Sequence, residues 1–449
     1  MQHAFAIYSK NCWIDQKLQA ATVFVKDGLI VQIENGKIVP SNGSVEDVGE
    51  NILMPGVIDT HVHINEPGRT EWEGFETATK AAVAGGTTTL VDMPLNSTPV
   101  TTSKEFLDLK LKAAEGKLNV NCGFYGGIVP ENINDLKSLI QSGVLGIKAF
   151  LTHSGIDDFP NVTEADLEKG MAIISKYDIP LLVHCELEDT NFEAQNILKQ
   201  NPSSYQAYLN SRPKSWENKA IRLMIKLCKK YNCKVHIVHL SSAEALKDII
   251  KAKAEGLPIT VETCPHYLLF NAEEIADGDT RFKCAPPIRE KENNDLLKEA
   301  IATGVIDFLS TDHSPAPPEI KEFKSGNFKK AWGGIAGLQF MLPASWTALK
   351  DKIDLETFIP LLTEMPSRFL NLNHKKGFLK VGYDADFVIW NPNETFVVSE
   401  EPILHKHKMT PYLNRNLFGT TKQTYVNGKK VFDKNIFEHK NEGKTILHQ

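Results

Sequence analysis

Eight short apolar segments, each separated from the next by a longer stretch of helical periodicity, fill the middle of the chain. They cover residues 54–63, 87–93, 119–126, 145–151, 179–185, 234–240, 258–264 and 305–311. Strands that alternate with helices form parallel sheets, because each helix returns the chain to the same edge. Eight is the number of parallel strands that closes a barrel. The sequence therefore predicts an α/β protein, with a (β/α)8 TIM-like barrel over residues 54–377.

The two ends of the chain have a different pattern. Residues 1–53 and 378–449 alternate apolar and polar positions and contain the turn dipeptides Asp27-Gly28 and Asn427-Gly428. These dipeptides favour tight hairpins because both residues tolerate positive φ. We therefore expect the two ends to fold together as one small β-sandwich domain beside the barrel.

Charge and cysteine content exclude several classes of partner. Fifty basic and 56 acidic residues give a net charge of −6, without the basic blocks that bind nucleic acid or anionic membranes. No apolar run reaches the roughly 20 residues of a membrane span, and no secretion signal follows Met1. The seven cysteines are scattered and include no CxxC pair, as is typical of a reducing compartment. We expect a cytoplasmic protein that acts on a small molecule, with no nucleic-acid or membrane partner.

The first predicted barrel strand carries two histidines. Side chains alternate along a strand, so Asp59, His61 and His63 share one face. Two imidazoles in this arrangement can bind one metal ion, although the HxH pattern alone is equally compatible with a structural role. Asp59 is expected either to orient a ligand imidazole or to cap backbone groups of the barrel.

The fourth predicted strand contains a lysine among apolar residues. A buried ammonium group such as that of Lys148 is costly unless it is paired or neutralised. One interpretation is an ion pair with a distant carboxylate. The other is a reaction of the amine with carbon dioxide, which gives a carbamate able to bridge two metal ions.

Further candidate ligands stand at the ends of the fifth, sixth and eighth predicted strands. His184 ends the fifth strand and Asp312 follows the eighth. His236 and His239 have opposite parity, so only one is expected to point inward. We choose His239, since barrel active sites lie at the carboxyl ends of the strands, and we expect His236 to pack outward against a helix. His313 is expected to be a loop residue that supports the site.

Five different strands thus contribute potential ligands at their carboxyl ends. The six residues are His61, His63, Lys148, His184, His239 and Asp312. Nitrogen and carboxylate ligands suit zinc, and they are also compatible with manganese, cobalt or iron. The sequence therefore predicts a functional metal site at this end of the barrel.

The same segments resemble the cyclic amidohydrolases, the family of dihydroorotases, hydantoinases, dihydropyrimidinases and allantoinases. The resemblance spans nearly the whole chain, and its motifs are residues 55–63, 146–150, 239–242, 311–315 and 376–386. It implies two divalent ions per subunit and a homotetramer. By this resemblance His61, His63 and Asp312 hold one ion, His184 and His239 hold the other, and carbamylated Lys148 bridges them.

Substrate identity is expected to depend on the loops around the pocket. Residues 65–75, 93–97 and 332–337 resemble segments of allantoinases, which implies ring opening of allantoin to allantoate. Asn65, Asn96 and the backbone at Gly334 are the expected substrate contacts. Asn65 stands where similar dihydroorotases carry arginine. Residues 152–155 match no family segment, so His153 is expected to be a solvent-facing loop residue.

Two groups of alternatives remain at this stage. A dihydroorotase or a hydantoinase/dihydropyrimidinase would use the same ligands, and divalent ions in any of them would activate the attacking water and polarise the ring carbonyl. Asp312 is the expected general base, and then general acid, of that reaction. A non-catalytic scaffold of the same fold would typically have lost ligands. This chain keeps all six, which favours an enzyme.

Overall fold

The computed structural model describes residues 5–40, 44–189 and 192–448. In chain order the strands of these residues are β1 Phe5–Ile14, β2 Lys17–Lys26, β3 Leu29–Asn35, β4 Val45–Asp47, β5 Ile52–Pro55, β6 Val57–Val62, β7 Thr87–Asp92, β8 Asn121–Phe124, β9 Gly126–Gly127, β10 Ile147–Phe150, β11 Leu181–His184, β12 Val235–Ile237, β13 Ile259–Thr263, β14 Phe308–Leu309, β15 Phe387–Val397, β16 Asn416–Val426, β17 Lys429–Asp433 and β18 Thr445–Ile446. The helices are α1 Phe75–Ala84, α2 Lys104–Ala114, α3 Leu136–Gln141, α4 Glu164–Ile174, α5 Phe192–Gln200, α6 Tyr205–Ser211, α7 Lys214–Tyr231, α8 Leu246–Ala254, α9 Pro265–Leu269, α10 Lys291–Ala302, α11 Met341–Leu349, α12 Leu355–Leu362 and α13 Glu364–Phe369.

The strands from the middle of the chain pair in parallel and in chain order. Hydrogen-bonded neighbours run from β6 through β8 and from β9 through β14. The two runs meet where the backbone N–H of Leu145 donates to the carbonyl of Phe124 at 2.9 Å. At the other side, Val62 pairs in parallel with His313, so the first strand adjoins the end of the last. Each of the eight predicted segments contains at least one of these strands, which confirms the α/β class.

The helices between the parallel strands are amphipathic, and α7 illustrates why they form. Its buried residues recur at helical spacing and include Trp216, Ile221 and Met224. The helix follows Pro213 and ends at Asn232, which adopts a left-handed φ of 48°. Such helices cover the strands with one continuous apolar cluster. In the described part of the chain, no helix is long and apolar enough to cross a membrane.

Both chain ends contribute strands to one mixed eight-stranded sheet. Its order is β17-β16-β15-β5-β1-β2-β3, with β4 beside β1. Residues 52–55 belong here, because β5 pairs with β1 and β15. The first predicted barrel strand, residues 54–63, is therefore two strands that belong to different sheets. The chain passes from one sheet to the other at Gly56.

Glycine is required at position 56, because the neighbouring atoms leave no room for a side chain where the chain passes between the sheets. A Cβ atom at this position would overlap Thr88 and lie 2.6 Å from the Thr88 Cβ. Thr88 is β-branched and buried, so it cannot turn away. We expect Gly56→Ala to lower the free energy of unfolding by about 1–3 kcal/mol, the usual cost of overpacking. Urea denaturation measures this loss. Gly333→Ala is the control, since its Cβ would have no neighbour nearer than 3.8 Å, and equal stability losses in the two variants would refute the argument.

Candidate metal centre

Three of the predicted ligands meet where β6 and β14 end. Asp312 Oδ1 lies 3.3 Å from His61 Nε2 and 3.4 Å from His63 Nε2. Two atoms that bind one tetrahedral ion at about 2.0–2.1 Å are separated by about 3.3 Å. The side chains are buried, and one atom from each lies within 4.8 Å of the others. Burial lowers the pKa of His63 to about 4, so the imidazole is in the neutral form that binds metals. This trio has the chemistry and spacing of a metal site.

The other three predicted ligands lie beside this trio. His184 Nδ1 is 3.0 Å from His239 Nε2, and the rings of His239 and His61 are 5.4 Å apart. The Lys148 side chain is fully buried, and its Nζ has no hydrogen-bond partner among the described residues. Burial lowers the Lys148 pKa to about 8, so the amine loses its proton more readily than an ordinary lysine. A buried amine without a partner, among neutral imidazoles, fits a group that carries an anionic bridge between two cations.

Glu262 orients His61, a role that sequence reasoning did not assign. Its Oε1 lies 2.6 Å from His61 Nδ1, and its Oε2 accepts a hydrogen bond of 2.9 Å from Thr60 Oγ1. A proton held on Nδ1 leaves the Nε2 lone pair free for a metal. Glu262 is a charged residue within the buried strand β13. A charge in a predicted barrel strand is the same signal that marks Lys148.

Asp59 has the second of its two predicted roles. Its Oδ1 accepts from the backbone N–H groups of His61 at 3.1 Å and Thr311 at 3.2 Å. Its Oδ2 accepts from the Thr311 hydroxyl at 2.5 Å. The carboxylate therefore caps backbone groups of its own strand β6 and of the segment that follows β14. It does not orient a ligand imidazole.

His236 packs against a helix, as predicted, since its ring lies 4.3 Å from the ring of Phe369 in α13, but the prediction that it points away from the ligands is wrong. Its Nδ1 lies 2.8 Å from Thr260 Oγ1, and its Nε2 lies 3.2 Å from Glu262, the carboxylate that also contacts His61. The parity rule failed because β12 ends at Ile237, and His239 has a left-handed φ of 40°. Strand alternation therefore does not extend from His236 to His239.

His313 supports the site without joining the ligand cluster, as predicted. Its Nδ1 accepts hydrogen bonds from the backbone N–H groups of Gly337 at 3.1 Å and Leu338 at 3.3 Å. The residue is buried, and its carbonyl accepts from the N–H of His63 at 2.8 Å. His313 thereby connects the ligand segments to the chain that follows residue 335.

A cavity of about 1010 Å³ opens above the ligands, and five of the six predicted ligands line it. Asn96 and Gly333 also line it, whereas Asn65 and Gly334 do not. The Gly334 N–H donates to the carbonyl of Lys283 at 2.9 Å, which leaves no donor for a substrate. Asn65 is buried, with its Nδ2 3.4 Å from the carbonyl of Pro315. His153 is largely exposed at the cavity wall, as expected of a loop residue.

Asn96 lines the cavity and also contacts His63, one of the predicted metal ligands. Its amide nitrogen lies 3.3 Å from His63 Nδ1, while its buried Oδ1 has no hydrogen-bond partner among the residues that the structure describes. Amide nitrogen and oxygen positions are assigned from the hydrogen-bond network, so a half-turn of the amide is allowed. The turned amide oxygen accepts from Nδ1–H, which frees His63 Nε2 for a metal. In the turned orientation Asn96 would orient His63 as Glu262 orients His61.

The half-buried cations of the cavity wall are engaged by protein groups. Arg69 donates to the carbonyl of Asn96 at 3.2 Å, lies 3.5 Å from Asp158, and stacks over Trp72. Lys283 donates to a backbone carbonyl. Arg212 pairs with the buried Glu186. Lys329 and Lys330 line the outer part of the cavity and are exposed.

Parallel strands whose carboxyl ends carry histidines and an aspartate around a cavity define a metal-dependent hydrolase of the amidohydrolase class. The chain belongs to the amidohydrolase family, whose sequence pattern matches residues 52–431. An allantoinase of Arabidopsis thaliana is 47% identical over 444 residues, which are 95% of this chain and 87% of the relative. The allantoinase of Saccharomyces cerevisiae is 40% identical over 95% of both chains. The L-hydantoinase (dihydropyrimidinase) from Arthrobacter aurescens has a TM-score of 0.92 at 29% identity, over 99% of this chain and 100% of that one.

Proposed function

We propose that this protein hydrolyses the five-membered ring of allantoin and releases allantoate. The observation that carries the chemistry is the group of buried histidines with Asp312 that lines the cavity, beside the buried Lys148. The substrate follows from relatives named allantoinases that are 40–47% identical over most of the chain. The sequence resemblance to allantoinases includes three segments that contribute to the cavity, residues 65–75, 93–97 and 332–337.

We assign two divalent ions, with zinc favoured, to the six ligands. One ion would be held by His61, His63 and Asp312, and the other by His184 and His239. A carbamate on Lys148 would bind both ions. Bound ions would lower the pKa of the attacking water and polarise the ring carbonyl. The carbamate forms when the neutral Nζ attacks carbon dioxide and releases one proton. The buried and unpartnered amine supports this assignment.

Asp312 moves the proton in the proposed reaction. Its Oδ1 faces the two imidazoles, so we assign proton transfer to Oδ2. The water oxygen bonds to the ring carbonyl carbon, and Oδ2 accepts the proton of the water. The ring C–N bond then breaks, and Oδ2 returns the proton to the leaving nitrogen. Neighbouring His61 and His63 outweigh the effect of burial and hold the Asp312 pKa at about 2, so the carboxylate is in its ionised form.

We also propose that the parallel strands close into a barrel and that the two chain ends form a β-sandwich. The hydrogen bond of 2.8 Å from His63 N to His313 O supports closure of the eight parallel segments into a (β/α)8 barrel. The apolar cluster shared by both chain ends supports a β-sandwich. We further propose a homotetramer, which light scattering would test. Seven free, buried cysteines support a reducing compartment such as the cytoplasm.

We predict that the enzyme favours allantoin over dihydroorotate by about 100-fold or more in kcat/KM, because an uncompensated buried carboxylate costs several kcal/mol. Binding of a ring carboxylate calls for a free cation, ideally an arginine fork. Asn65 offers no charge, and Arg69 is held by Asn96 and Asp158. Hydrolysis rates of allantoin, dihydroorotate, hydantoin and dihydrouracil with metal-loaded protein test the prediction.

Each substrate in that assay excludes one alternative. Equal or higher efficiency with dihydroorotate would overturn the allantoin assignment and leave the cyclic amide chemistry intact. Preference for unsubstituted hydantoin or dihydrouracil would assign the activity suggested by the Arthrobacter aurescens relative. Metal content is measured on the same samples, so that an inactive preparation is distinguished from an unreactive substrate.

A further inference from the structure

The ion pair of Glu186 and Arg212 lies next to His184, one of the two histidines assigned to the second metal ion. Glu186 follows His184 by two residues and is completely buried. Its Oε2 lies 2.8 Å from His184 Nε2. Arg212 donates to both carboxylate oxygens, with its Nε 3.1 Å from Oε1 and its Nη2 on Oε2. A two-pronged contact of this kind fixes the orientation of a carboxylate as well as its charge.

This contact decides which nitrogen of His184 is free. A carboxylate accepts the Nε2 proton, so the lone pair of His184 lies on Nδ1. Nδ1 faces His239 Nε2 at 3.0 Å. The first pair has the opposite arrangement, since Glu262 contacts His61 Nδ1 and leaves Nε2 free. Two carboxylates therefore select opposite nitrogens in the two halves of the centre.

Arg212 is itself fixed by the backbone. It lies between α6 and α7, and its carbonyl accepts a hydrogen bond of 2.9 Å from Arg289. Its guanidinium also lies 5.7 Å from the ring of Trp216. The side chain lines the cavity wall and remains partly exposed. The position of Glu186 is thereby set by helices outside the metal centre.

We propose that Glu186 and Arg212 are positioning residues that select the metal-binding nitrogen of His184 and maintain the second metal site, separately from the first. This inference rests on the proposed function, since it requires two ions per subunit. Partners of metal ligands are typically worth about 10- to 100-fold in metal affinity. We therefore expect loss of this pair to weaken one of the two ions by that factor.

The test is metal retention in Glu186→Gln and Arg212→Lys. The amide keeps the size of the glutamate but loses its charge, and lysine keeps the charge but loses the fork. Competition with a graded chelator, followed by elemental analysis, should show two ions in the wild type. Both variants should hold one ion as tightly as the wild type and the other about 10- to 100-fold more weakly. Arg281→Lys is the matched control, because Arg281 makes the same two-pronged contact with Asp279 away from the cavity.

The His239→Ala background assigns the affected site. This protein should retain the ion at His61, His63 and Asp312, and adding Glu186→Gln should not change its affinity. Wild-type retention of both ions in Glu186→Gln and Arg212→Lys would overturn the inference, as would equal weakening of both ions. A wild-type protein that binds fewer than two ions would instead refute the binuclear proposal. Thermal unfolding of every variant without metal separates metal loss from loss of the fold.

Discussion

Lys148→Ala is expected to bind at most one metal ion per subunit and to lose more than about 100-fold in turnover. Partners outside the ligand shell are already worth about 10- to 100-fold in affinity or activity, so loss of a bridging ligand should exceed that range. Lys148 is the one predicted ligand whose terminal atom has no hydrogen-bond partner in the described residues and is fully buried. Alanine cannot form the carbamate, so the anion that would lie between the two cations is lost.

Metal analysis and allantoin hydrolysis measure this effect, with and without added short carboxylic acids. A small carboxylate can enter the space left by the side chain, so partial recovery of both metal and activity is expected. Lys321→Ala is the comparison, because Lys321 is another buried lysine, and its Nζ donates to backbone carbonyls of the described chain. It should lose stability but keep two ions. A Lys148→Ala protein with two ions and full turnover would refute the carbamate.

The sequence alone pointed to the His61, His63 and Asp312 cluster that the structure brings together, because these candidates follow from short-range pattern. Each ligand stands at the carboxyl end of a strand, and parallel strands bring those ends together. The pattern failed where the backbone departs from a strand. His239 and Asp312 have φ values of 40° and 46°, which are uncommon for residues other than glycine. Such angles depend on packing around the centre, so the incorrect assignment of His236 could not have been avoided by alternation alone.

The partners of the ligands depend on contacts between distant parts of the chain. Glu262 reaches His61 across 201 residues, and Arg212 reaches Glu186 across 26. Sequence alternation places Glu262 on a strand but does not select the histidine that it contacts. The substrate contacts were harder still. Asn96 lines the cavity whereas Asn65 does not, although both are asparagines with a left-handed backbone in loops after strands.

Asp312→Asn should lower kcat by about 10²- to 10⁴-fold, the range attributed to general acid-base catalysis, with a much smaller change in KM. The amide keeps the shape of the carboxylate and an oxygen toward His61 and His63, but it cannot accept and return a proton. Because this effect belongs to the transition state, substrate affinity should be largely retained. Steady-state kinetics on allantoin, beside metal analysis of the same samples, measures both quantities.

Two roles of Asp312 must be separated, since it is proposed as both a ligand and the proton carrier. A variant that keeps both ions and still loses turnover isolates the proton transfer, whereas metal loss in proportion to activity would assign the effect to ligation. Asp307→Asn is the matched control, because Asp307 precedes the same strand and pairs with Lys253 away from the cavity. It should retain kcat. Near-normal turnover in Asp312→Asn with both ions bound would exclude Asp312 as the base, and the proton would then have to pass through another group of the cavity wall.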